Sequence, residues 1–208
     1  MIFRQVDALP MARQDRFDRS TLEGAFQALG QMAAKAGRLV EIAVYGGSAL
    51  VLTLPNRVAT RDVDAVIRND AGWLRSAVAA LAQERGWPPD WLNDGVKGFL
   101  SHPDGDPEAR TLLKSYPGEE TAGLRVFVAS PRYLFAMKCL AMQIGGVDET
   151  RDRADIEALA TAIGVTTAEQ AIGIVAQFYP ASQISPKTQL GIEEIFGRRS
   201  DDLPRAGS

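Results

Sequence analysis

The sequence predicts an α/β (α+β) fold in which a small mixed sheet is followed by an all-helical C-terminal part. Three observations carry this. The extended apolar runs, at residues 39–44, 63–67, 111–116 and 124–128, all fall before Ser130. From Pro131 to about residue 196 every segment has helical periodicity. The first run ends in Tyr45-Gly46-Gly47-Ser48, a glycine turn that opens a helix, as in layered folds that alternate strand and helix. The expected organisation is a sheet core with an N-terminal helix over 1–130, a helical part over 131–197 that completes the site, and a flexible polar tail over 198–208.

Taken in order, Ser20 with Glu23 three residues on predicts a capping box. Leu22, Phe26, Leu29 and Ala33 then share one helical face that Gly37 closes. Leu39-Val40-Glu41-Ile42-Ala43-Val44 predicts the first strand. After the second strand, Asn69 or Asp70 caps a helix carrying Trp73, Leu74, Ala77, Val78 and Leu81, which Gly86 and Pro88-Pro89 stop. Trp91-Leu92-Asn93-Asp94 reads as a short helix, and residues 101–107, rich in Pro, Gly and Asp, as a surface loop holding the single histidine, His102. Ser130-Pro131 is an N-cap and N1 pair. The helices that follow are expected at 131–144, 151–163, 167–178 and 186–196, with breaks at Gly145-Gly146, Gly164 and Pro180.

Composition narrows the classes of function. A chain of 208 residues, 46% hydrophobic and 24% charged, is long enough for one good core, and its net charge of −3 carries no global basic signature for nucleic acid. Cys139 is the sole cysteine, which excludes an intramolecular disulfide and a cysteine-built zinc site. No stretch approaches a membrane span in length, and the first 19 residues have no apolar signal-like run, so a cytoplasmic protein with no membrane partner is expected.

Chemistry concentrates in two stretches. At the glycine turn, free N–H groups and the positive end of the helix dipole favour phosphate, and Gly46 and Gly47 let a ligand approach the backbone. In Arg61-Asp62-Val63-Asp64, two carboxylates at i and i+2 face the same side of a strand. Such a pair suits a hard divalent cation, Mg2+ or Mn2+, that brings substrate phosphates as further ligands. Taken separately, the first stretch is also an ordinary strand-to-helix turn and the second the solvated face of an edge strand.

In the helix from Pro131, Lys138 interrupts the apolar stripe of Leu134, Met137, Ala141 and Ile144; it either meets an anion or snorkels to water. In the next helix, Asp152 and Asp155 continue the buried face of Ile156, Leu159, Ala160 and Ile163. Asp152 fits a dipole partner in a first turn, whereas Asp155 lies deeper and needs a cationic or polar partner, for which Lys138 is the candidate.

The glycine turn and the Asp-x-Asp pair, separated by residues 49–61, resemble the nucleotidyltransferase superfamily. The wording Gly46-Gly47-Ser48-Ala49-Leu50, then Thr60-Arg61-Asp62-Val63-Asp64, most resembles its AbiEii-type branch, which includes toxins of bacterial toxin-antitoxin systems. Lys138 and the run Arg151-Asp152-Arg153-Ala154-Asp155-Ile156 also match that branch, so the resemblance spans about 39–67 and 130–160. It implies transfer of a nucleoside monophosphate from a nucleoside triphosphate (NTP) to an acceptor hydroxyl, on tRNA or a protein among other acceptors, with Mg2+ or Mn2+ as cofactor and an antitoxin protein as partner. By the same resemblance Asp62, Asp64, Lys138 and Asp155 are catalytic, with the metal on Asp62 and Asp64. Gly46, Gly47, Ser48 and Lys138 bind the nucleotide, and Thr60, Arg61 and Asp152 are secondary candidates. The chain departs from the pattern in four places: Leu52 and Glu149 stand where basic residues are expected, Arg57 is one residue further from Thr60 than usual, and residues 124–128 supply no third carboxylate. These departures leave open a nucleotide-binding or interaction module that kept the fold and lost turnover, or a purely structural partner in a two-component operon.

Overall fold

The computed structural model describes residues 16–55, 57–101, 109–142 and 149–201. The loop with His102, the break at Gly145-Gly146, most of the N-terminal stretch and the last part of the tail lie outside them. Within them the chain is a mixed α/β structure. A five-stranded sheet has the order β5-β4-β2-β7-β6, from Leu92–Asn93 (β5), Val63–Ile67 (β4), Val40–Val44 (β2), Leu124–Ala129 (β7) and Arg110–Tyr116 (β6). β2 runs antiparallel to β4 and parallel to β7, so the central strand is hydrogen-bonded on both sides. Val40, Ile42, Ala43 and Val44 are all buried, the near-continuous apolar reading of a covered strand. Two-residue strands Phe17–Asp18 (β1) and Ala59–Thr60 (β3) form a separate antiparallel pair, too short to signal in sequence.

Helices α1 (Arg19–Lys35) and α3 (Ala71–Arg85) pack together, with α1 also lying on β6 and β7. The α1 cap differs from the expected box: Asp18 is the N-cap, and its carboxylate accepts from Thr21 N at 2.8 Å. Asp70 does cap α3, but in a left-handed conformation with its side chain turned to Arg38, while Asn69 bridges β2 by accepting from Glu41 N and donating to Leu39 O. The expected short helix at 91–94 is instead β5, because Val63 N donates to Trp91 O and draws this segment alongside β4; a 3-10 turn, Gly95–Phe99, follows.

After Ser130, α4 (Pro131–Ala141) is the hub on which α5 (Glu149–Ile163), α6 (Ala168–Phe178) and α7 (Pro186–Asp201) pack. Ser130 caps α4 as its sequence predicts. Tyr133 through Met137, with Cys139 and Leu140, are buried, the all-round apolar character of an enclosed helix. α7 runs on to Asp201, past the expected end at Phe196, so the first residues assigned to the tail are helical. No single described helix is long and apolar enough to cross a membrane. α5 and α6 reach that test only jointly, across a 91° bend, and their residues Ile156, Leu159 and Ile174 are buried in the core.

Candidate active site

β2 delivers the chain to Tyr45, an extended N-cap, and α2 (Gly46–Thr53) starts at once. Gly46 takes φ +56°, and a Cβ there would fall on Asp64 Oδ2. A Cβ on Gly47 would stand 2.7 Å from Thr60 Oγ1. Both glycines are thus required by close approach, and the turn brings the start of α2 against the Asp64 carboxylate. Ala49 N is bonded to Tyr45 O, so the N–H groups of Gly46, Gly47 and Ser48 precede the first helical bond.

Asp64 lies on β4 beside β2, with Tyr45 N donating to its backbone carbonyl at 2.9 Å. Asp62 stands one residue before the strand begins, rather than within it as the i, i+2 reading supposes. Burial first, and then the charge of Asp62, push the Asp64 carboxyl up to about 6, against the opposing pull of Lys138. The two carboxylates are therefore close enough to repel through protein, and a cation would relieve that repulsion.

Gly46, Gly47, Asp64 and Lys138 line one crevice, of about 170 Å³, whose other walls are Leu50, Val96, Phe99, Leu134 and Met137. Lys138 reaches it from α4, and its Nζ is 2.8 Å from Asp152 Oδ1 and 2.9 Å from Asp155 Oδ2. The first is a hydrogen bond, whereas the second is a charge contact without hydrogen-bond alignment. Burial alone would lower the Lys138 pKa, but Asp155 and Asp152 outweigh it and hold it above the usual lysine range. The ammonium is consequently charged at neutral pH.

The i, i+3 spacing of Asp152 and Asp155 puts both on one face of α5, turned to α4. Asp152 is more than a dipole partner, since it bonds the lysine. Asp155, 5% exposed, is shared: its Oδ1 accepts from Arg57 Nη1 at 2.7 Å. Arg57 stands between α2 and β3, with Nη2 3.6 Å from the position of a Gly47 Cβ. Sequence reading missed this arginine as a site residue, its sole signal being its nearness to Thr60.

Ser48 is placed differently from Gly46 and Gly47. Its hydroxyl is buried and donates to Tyr45 O at 2.9 Å, which leaves its backbone N–H, not its side chain, for a ligand. Thr60 is buried against Gly47, and Arg61 is exposed. Among the described residues, no group of three or more His, Cys, Asp or Glu is placed to hold a metal. A cation here would take two protein carboxylates and complete its shell from substrate and water, which is how Mg2+ is ordinarily held.

Gly46→Ala is expected to weaken markedly the binding of any phosphate-bearing ligand at the start of α2. The left-handed backbone alone costs a β-carbon about 1 kcal/mol, and the methyl group would displace Asp64. Unchanged binding, with normal thermal unfolding, would show that Asp64 has room to retreat and that the close approach is incidental.

No protein-family model and no curated protein matches the chain. Among solved structures it is similar to an antigenic nucleotidyltransferase-like protein from Paracoccidioides brasiliensis, with 17% identity and a TM-score of 0.46 over 89% of this chain and 92% of that one. The crevice itself, rather than this likeness, points to the chemistry.

Proposed function

We propose that the chain is a nucleotidyltransferase, transferring a nucleoside monophosphate from an NTP to an acceptor hydroxyl with release of pyrophosphate. The observation that carries this is the meeting, in one crevice, of an open helix start, a desolvated carboxylate with a like-charged neighbour, and a half-buried charged lysine. Phosphoryl chemistry needs positioning and charge neutralisation more than covalent help. Gly46 and Gly47 would receive phosphate oxygens on their N–H groups, and Lys138 would hold the triphosphate as a point charge. Asp62 and Asp64 would hold Mg2+ or Mn2+, which supplies Lewis-acid stabilisation of the phosphoryl charge when bound. Asp155 would fix the lysine, with Asp152 as a second anchor.

The finer assignments are part of the same proposal. The sequence motifs support the AbiEii-type branch, with tRNA or a protein as acceptor, an antitoxin as partner and the cytoplasm as location. The deciding experiment incubates the protein with each of four labelled NTPs, Mg2+ or Mn2+, and total tRNA, proteins or small molecules. Label transfer with stoichiometric pyrophosphate release is expected. Nucleotide binding without pyrophosphate release would favour the degenerate module, a reading that the lack of a carboxylate at residues 124–128 and the non-basic Leu52 and Glu149 also permit.

A further inference from the structure

β5 pairs with β4 in parallel, and its register sets Asn93 opposite Asp64. The Asn93 amide is half-buried and engaged at both ends. Gly95 N donates to its Oδ1 at 2.8 Å, and this donor fixes which way the amide faces, because the NH2 end cannot accept. Nδ2 therefore points at carboxylate and carbonyl oxygens, lying 3.4 Å from Asp62 Oδ2 and 3.4 Å from Asp90 O.

Gly95 begins the 3-10 turn Gly95–Phe99, the lip that contributes Gly95, Val96 and Phe99 to the crevice wall. The far end of the lip is pinned separately. Tyr179 Oη, just after α6, donates to Phe99 O at 2.6 Å, and Tyr133 Oη of α4 accepts from Ser101 N at 2.8 Å. At its near end the lip depends on Asn93, which also donates to the carboxylate beside Asp64.

We propose that Asn93 is a positioning residue that couples the cation site to the nucleotide-binding lip. Its NH2 holds one oxygen of Asp62, leaving the other for a cation, while its carbonyl holds the lip over the crevice. This rests on the nucleotidyl-transfer reading above. Residues that orient metal ligands typically change metal affinity about 10–100-fold when removed; the long 3.4 Å contact places Asn93 at the low end of that range.

The test titrates Mn2+ into the full chain by electron paramagnetic resonance and follows amide hydrogen exchange of residues 95–99. Asn93→Ala is expected to weaken Mn2+ binding about tenfold and to speed exchange at Gly95. Asn93→Asp keeps an acceptor for Gly95 N, so lip exchange should stay at the wild-type rate, while Mn2+ affinity shifts because a donor beside Asp62 has become a third carboxylate. Wild-type Mn2+ affinity in either variant overturns the proposal, as does slow, wild-type exchange at Gly95 in Asn93→Ala. If the wild-type chain takes up no Mn2+, the cation-site reading fails and this proposal with it.

Discussion

Asp64→Asn is expected to abolish cation-dependent transfer and, in the same molecule, to raise the melting temperature of the cation-free protein at pH 7. The activity loss should exceed about 100-fold, the upper end of what is lost when a residue merely supporting a metal ligand is removed. The stability gain follows from linkage. Asp64 ionises at about 6 in the folded protein and at 3.8 as an unperturbed group. Between those values the folded state binds more protons than the unfolded one, so stability rises as pH falls from 7 towards 4 and falls as the carboxyl ionises. Two pH units of displacement correspond to roughly 2 kcal/mol after allowance for partial solvation, or about 4–8 °C for a chain of this size. Asparagine carries no such penalty. Thermal unfolding in EDTA at pH 7 and pH 4 would show the variant ahead at the first and level with wild type at the second, while Mg2+ would raise the wild-type midpoint alone. A destabilised Asp64→Asn at pH 7 would mean that a favourable partner, not an uncompensated burial, holds the carboxylate. Asp62→Asn should also lose transfer, and because the Asp62 charge helps raise the Asp64 pKa, it should bring Asp64 back towards its ordinary range.

Asp64 also illustrates what was legible in the sequence and what was not. Its alternation with Val63 and Ala65 was enough to put the carboxylate on a strand, because strand periodicity is local, whereas its place beside Gly46 and Gly47 was implied by the family resemblance. The stripe on α4 likewise found Lys138, and its neighbouring helix found Asp155, since a charged group on a buried face must meet an opposite charge. Contacts between segments far apart in sequence left no such mark. Arg57 meets Asp155 across 98 positions of chain, and neither residue's surroundings in sequence announce it. Asn93 was read as helical because Trp91-Leu92-Asn93-Asp94 is too short for periodicity to separate the two periods, and the pairing with β4 that decides it is nonlocal. Ser48 is expected at the start of the helix, but the cap position falls to Tyr45, whose carbonyl accepts from the Ser48 hydroxyl.

Asp155→Asn should weaken nucleotide binding and lower stability together. In the folded protein Asp155 lies between two cations, with Arg57 Nη1 at 2.7 Å and Lys138 Nζ at 2.9 Å. Removing a partner from a buried ion pair costs about 3–5 kcal/mol, because the charge left behind is desolvated without compensation. Asparagine preserves a carbonyl acceptor and Asp152 still holds Lys138, so the low end of that range is expected. Its location between two cations, with 5% exposure, favours the proposal that Asp155 positions Lys138 rather than meeting the acceptor hydroxyl. A rise in nucleotide KM of about tenfold or more, with a smaller fall in kcat, follows from a lysine that still carries charge but is less firmly aimed. The double variant separates this from simple loss of packing. If Asp155 acts through Lys138, then Lys138→Ala combined with Asp155→Asn should bind nucleotide no more weakly than Lys138→Ala alone, a non-additivity expected of residues serving one interaction. Near-normal nucleotide affinity with lost transfer in Asp155→Asn would instead put the carboxylate at the acceptor. Full activity in Lys138→Ala would reduce the whole Arg57, Asp155, Lys138 and Asp152 row to a strut joining α4 and α5 to the segment between α2 and β3.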